Sequence, residues 1–206
     1  MPMISYGATL AKMQPVIERL FDAFDEAAVE AAAHHADLGL SRRDDQHYYT
    51  GIIRRLVMRD LKAEGLYLSR EEDDRPINPM SSIQIPYEGL VIWVFKAAKI
   101  SDADPRHRVP LPEHSARKKA FWRQEPVLEL GGMPADNILL LWSEEQGVIH
   151  PTMTLVRPLG GDHRRDNLRT HWIGPLRREM ATLAVDDLNE MQASVENPML
   201  GGEDVG

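Results

Sequence analysis

The sequence predicts an α+β fold, with N-terminal helices followed by an antiparallel sheet of about five strands and helices packed on it. Three observations carry this. Apolar residues in the first 65 positions recur at helical spacing, whereas from residue 81 the segments either alternate with period two or are apolar on both faces. The predicted order is two helices, two strands, a helix, three strands and a last helix. That order lacks the strict strand–helix alternation of a parallel α/β protein.

A length of 206 residues suits one domain, and 43% hydrophobic residues are enough to bury a core. Residues 1–68 form the helical part and residues 81–195 the sheet with its helices, expected to fold as one compact unit with 1–68. Residues 196–206 (NPMLGGEDVG and the residue before it) read as a flexible tail.

Residues 9–33 carry Met13, Val16, Ile17, Leu20, Phe21, Phe24 and Ala28 at helical spacing, with Glu18, Arg19, Asp22 and Asp25 on the other side. Pro15 is expected in the first turns and Gly39 after the last. A second helix starts near Asp44 or Asp45, both good N-caps, and ends at Gly65. Its apolar stripe is Tyr49, Ile52, Ile53, Leu56, Val57 and Leu61. Arg54, Arg55, Arg59 and Lys62 read as its solvated face. The charged, Pro-containing stretch SREEDDRPINPM (69–80) separates the helical part from the β-rich part.

SSIQIPY then alternates with period two. GLVIWVFKA places Val91, Trp93 and Phe95 on one face and Leu90, Ile92 and Val94 on the other, as does a strand covered on both sides. The Pro- and Asp-rich stretch 101–112 is expected to be exposed, and PEHSARKKAFWRQ (112–124) to form a short helix starting at Pro112-Glu113. NILLLWS (137–143), EEQG and GVIHPTMTLVRP form a hairpin, with Trp93 and Trp142 both in the core. LRTHWIG adds a strand. Residues 175–195 read as a final helix with Leu176, Met180, Leu183, Leu188 and Met191 inward.

The chain has no cysteine, which excludes disulfides, thiolate metal sites and cysteine nucleophiles. The N-terminus lacks the pattern of a secretory signal, and the longest apolar run, Leu90 to Phe95, is far short of the roughly 20 residues of a membrane helix. A cytoplasmic protein with no membrane partner is expected. The net charge of −8 is unevenly spread. Residues 104–178 carry 12 Lys/Arg against 9 Asp/Glu, and residues 179–206 carry none against 7. The middle third can therefore present a basic face that an acidic C-terminal helix, with Asp186, Asp187 and Glu190, either neutralises or leaves open.

Glycine fingerprints for nucleotides, H-E-x-x-H and G-x-S-x-G are all absent from the sequence. His34 and His35 are adjacent, so on a helix their side chains diverge by about 100° and cannot chelate one ion together. His47, His107 and His114 have no partner at metal-ligand spacing.

In RPLGGDHRRDNLRTHW (157–172), Gly160–Gly161 leading to Asn167–Leu168 resembles the second half of an HNH nuclease motif. The resemblance implies a strand His as base, a metal, and a loop and helix behind them. Thr154-Leu155-Val156-Arg157 stands where that His belongs, and His150 lies farther upstream. The enzymatic alternative is therefore a metal-dependent nuclease with a degenerate site on His150, His163, Asn167 and His171.

A second pattern is Val94-Phe95-Lys96-Ala97, then Ser115 and Arg117 with Phe121 and Gln124, then Asn137-Ile138 leading to Trp142. Over residues 87–172 it resembles a group of uncharacterised bacterial proteins of similar length, often encoded beside helix-turn-helix regulators or small metallopeptidases. The resemblance implies a regulatory or accessory role and no catalytic residue.

The function expected is thus a non-enzymatic regulatory or interaction protein of a mobile-element, toxin–antitoxin-like or defence locus. No cofactor, metal or catalytic residue is expected. Its partner-binding residues would be Arg106, Arg108, Arg117, Lys118, Lys119, Arg123, Arg164 and Arg165, facing an acidic protein, a second copy of the chain or nucleic acid.

Overall fold

Ser5 starts the first element: its Oγ accepts the backbone N–H of Ala8 at 3.1 Å and caps α1 (Tyr6–Asp37). The computed structural model describes residues 3–40, 45–66, 83–101, 103–112, 115–126 and 135–193. The predicted connection at 69–80 and the tail at 196–206 lie outside these. Because α1 begins three residues before the periodic stretch, Pro15 falls inside the helix and not in its first turns, removing one backbone hydrogen bond there. The next helix, α2 (Gln46–Ala63), is capped by Asp45, whose carboxylate accepts Tyr48 N–H at 2.8 Å. It packs on α1 through Tyr49, Ile53, Val57 and Leu61. Arg59 reaches across to Glu30 of α1 with two bonds of 3.0 and 2.9 Å, so the basic face of α2 is partly matched within the molecule.

β1 (Ile83–Tyr87) and β2 (Leu90–Lys96) pair antiparallel across the two-residue turn Glu88-Gly89, both at positive φ as a tight hairpin requires. β3 (Asp136–Trp142) then pairs with β2 in parallel, Leu90 opposite Asp136 through Lys96 opposite Trp142. The sheet is therefore mixed, a correction to the all-antiparallel expectation. Residues 97–135 carry the chain back to the starting end of β2, and α3 (Ala116–Trp122) lies in this crossover.

After β3 a small hairpin of β4 (Glu144–Glu145) and β5 (Val148–Ile149) turns the chain into β6 (Thr152–Gly160). That strand returns antiparallel to β3 and then pairs with β7 (Arg169–Arg177). The order is β1-β2-β3-β6-β7.

The helix expected at 175–195 is corrected. Pro175 and Leu176 belong to β7, a 3-10 turn follows at Arg178–Thr182, and among the described residues of this stretch the α-helical part is α4 (Val185–Glu190). Proline is accommodated because β7 is an edge strand. Leu176, Met180 and Leu188 are nonetheless buried.

Both faces of the sheet are covered by the chain itself. Ile85, Ile92, Val94, Leu140, Trp142 and Leu155 meet α1 and α2. Val91, Trp93, Leu139, Leu141 and Val156 meet Phe121 and Trp122 of α3 together with Val109 and Leu168.

α4 docks on the start of α1, where Gly7 permits backbone contact: a Cβ there would lie 2.4 Å from the carbonyl oxygen of Asn189. Gly7→Ala is expected to destabilise by about 1–3 kcal/mol in urea denaturation, the range of overpacking. Gly51→Ala in α2, where nothing lies within 4 Å of the added methyl, should stabilise by roughly 0.5–1 kcal/mol. A Gly7→Ala protein as stable as the parent would contradict the close approach of the two helices.

Candidate functional site

The crossover builds the surface of interest. Leaving β2, Ala97 N–H donates to Trp142 O at 2.9 Å, and Arg108 N–H returns to Ala98 O at 2.8 Å. The excursion closes on itself at the end of the sheet, with Lys99 bridged to His107. Residues 101–112, expected to be exposed, bury His107 and Val109 instead.

The His107 ring lies between two hydroxyls. Its Nδ1 is 2.9 Å from Thr154 Oγ1 and its Nε2 2.8 Å from Ser143 Oγ; Thr154 Oγ1 also accepts the His107 backbone N–H. Burial, reinforced by the neighbouring His150 and Lys99, lowers its pKa to about 4, so the ring is neutral at physiological pH. A hydroxyl beside an imidazole is one component of a nucleophilic centre. A base that weak, however, withdraws a proton poorly near neutrality. The two hydroxyls satisfy the buried polar ring.

α3 is capped by Ser115, whose Oγ accepts Lys118 N–H at 3.3 Å, three residues after the expected start at Pro112, while Glu113 lies outside the described residues. At its far end Gln124 locks it to the sheet, donating to Asn137 O and Pro158 O and accepting from Asn137 N–H. With Phe121 and Trp122 turned inward, the cations stand over the aromatic layer. Lys118 Nζ is 5.7 Å from the centre of the Phe95 ring, and the Arg117 guanidinium is 5.9 Å from that of Trp93.

The Gly-Gly loop adjoins the same layer: a Cβ at Gly160 would meet Arg123 Cγ at 3.9 Å, and Arg165 Nη1 donates to Val109 O. The eight cations proposed from sequence thus sit in α3 and the two loops beside it. They are not equivalent. Arg106 pairs with Asp104 at 2.6 Å, Arg123 with Glu125 at 2.9 Å, and Arg117 donates to Gln84. Arg108, Lys118, Lys119 and Arg164 have no salt bridge to another described residue.

A cleft of about 540 Å³ opens beside this layer, lined by Ile100, His107, Arg108, Val109, Arg165, Asp166, Leu168 and Thr170. Sequence reasoning missed it, because its two walls are about 60 residues apart along the chain. The alternation of arginine with less polar residues over Arg106-His107-Arg108-Val109 was the available signal.

The residues of the HNH-like reading do not gather. Gly160 and Gly161 join two antiparallel strands, and the residues after them form a single 3-10 turn at Arg165–Asn167 in place of a helix. Asn167 is used to close that loop, donating to Asp162 at 2.8 Å, while Asp162 also accepts Arg164 N–H at 2.7 Å. His150 lies before the start of β6, facing Thr152 O, whereas His163 lies past its end. The strand between them is roughly 26 Å long at the rise of extended chain. His171 stands on β7 near Arg157 and Asp136; partial burial, with the charge of Arg157, lowers its pKa. Among the described residues, no three His, Asp or Glu side chains converge in a way that could hold a metal ion. Comparison of the chain with protein-family models, curated proteins and solved structures finds no match.

Proposed function

We propose that the protein is a non-enzymatic interaction protein whose basic layer docks an acidic protein surface. One observation carries this reading: Lys118 and Lys119 of α3, Arg108 next to the buried Val109, and Arg164 next to Arg165, which bonds Val109 O, have no salt bridge to a described residue. Several cations elsewhere are matched internally, as in Arg59–Glu30, Arg19–Glu64 and Arg178–Asp25, whereas Arg55 and Arg169, which stand singly, have no salt bridge to a described residue. The carboxylates of α4 do not supply the missing partners, since α4 packs on α1, on the opposite face of the sheet.

In a chain of net charge −8, a positive patch left in water favours an oppositely charged surface and speeds its approach at low salt. Because the sheet is already covered on both faces, the contact rests on charge and not on completing an apolar core. The resemblance over residues 87–172 points to the same regulatory class of role.

Chromatography on immobilised poly-L-glutamate, heparin and a DNA oligonucleotide tests the proposal. The protein should be retained on poly-L-glutamate and released as salt rises. The Lys118→Glu/Lys119→Glu double variant should elute at distinctly lower salt with an unchanged melting temperature. No retention, or equal elution of parent and variant, would overturn the assignment. Retention on the oligonucleotide alone would move the partner to nucleic acid.

A further inference from the structure

We infer that the cleft beside the basic layer is a site for an organic anion with an apolar body. Its volume, about 540 Å³, lies within the range of pockets that enclose small ligands. Exposure is graded across it. Val109, Leu168 and His107 are buried at its floor, Ile100 and Thr170 are half-buried, and Arg108, Arg165 and Asp166 are exposed at its rim.

The floor offers no charge, because both ring nitrogens of His107 face hydroxyls and the ring is neutral. An apolar body fits there by displacing water from Val109, Leu168 and Ile100. Among the described lining residues the rim carries the guanidinium groups of Arg108 and Arg165 and the carboxylate of Asp166, an excess of one positive charge, so it favours a single negative group on the Arg108 side. Arg165 is held in place by its bond to Val109 O, a preorganised position for such a group. Asp166 opposes a second negative charge and disfavours polyphosphates. This site is distinct from α3, and Lys118 and Lys119 do not line it.

The probe is 8-anilinonaphthalene-1-sulfonate, one sulfonate on an aromatic body, titrated into the folded full-length protein with fluorescence as the readout. The expected result is a saturable, blue-shifted enhancement with one probe per chain. Arg108→Glu, at an exposed position, should weaken it by about tenfold or more. Thr170→Trp should abolish it by filling the cleft, and Lys118→Glu should leave it unchanged. Circular dichroism and the melting temperature report whether each variant is folded, and Arg108→Glu carries the test should Thr170→Trp fail to fold. The inference is overturned by the absence of a saturable signal, or by one that Arg108→Glu leaves intact. Arg108 belongs to both surfaces, whereas Lys118→Glu acts on the docking layer alone and Thr170→Trp on the cleft alone, so these two variants let loss of either function be read separately.

Discussion

Trp142→Ala is expected to destabilise the protein by about 3–5 kcal/mol, the range for a large aromatic truncated inside a core. Trp142 ends β3, is fully buried, and packs against Phe24 of α1 with ring centres 5.0 Å apart. Its loss removes apolar contact and leaves a cavity where the sheet meets the longest helix. The indole Nε1 is buried with no hydrogen-bond partner among the described residues, so Trp142→Phe keeps most of the packing and discards that polar group. The phenylalanine variant should therefore lie much closer to the parent.

Trp93→Ala should have a similar cost on the opposite face, where Trp93 meets Phe121 and Trp122 at 4.9 and 6.0 Å. The two losses differ in what they loosen, α1 in one case and the basic layer in the other. Urea denaturation measures each, and a Trp142→Ala midpoint equal to that of the parent would contradict the packing described.

The second large effect is acid destabilisation through His107. In the unfolded chain its imidazole takes up a proton near pH 6.5; in the folded protein it does so only near pH 4. Between those values the unfolded state binds more protons, so stability falls as pH drops from about 6.5 to about 4 and is unaffected by this group above that window. The full contribution is on the order of 3 kcal/mol. Stability measured across this window should fall less steeply in His107→Gln than in the parent. Identical slopes would show that burial of His107 does not govern the response.

Most elements were legible because their signals are local. Asp45 before an apolar stripe specifies the start of α2, and the doubly apolar runs around Trp93 and Leu140 specify central strands. The parallel pairing of β2 and β3 was not legible, since a buried strand shows the same pattern in either direction. The helix between them was the one local hint. Leu176, Met180 and Leu183 are spaced as on a helix, yet Leu176 serves β7, so periodicity misread the boundary. In the loop of residues 101–112, proline and charge suggested solvent, while Val109 and His107 turn inward. The charges of the basic layer could be counted in advance, but their pairing could not: Ser143 and Thr154 meet His107 only through tertiary register, and the same holds for Arg165 with Val109.

The parallel seam also bears on how the chain assembles. The hairpin of β1 and β2 closes through two residues, and β3, β6 and β7 follow one another through short connections, so both units can form from near neighbours. Joining them requires closing the loop of residues 97–135, a non-local step that comes at an entropic disadvantage and slows folding. That loop carries α3 and one wall of the cleft. The surface offered to a partner thus depends on this long-range joining, and a chain in which the two units have not met does not display it.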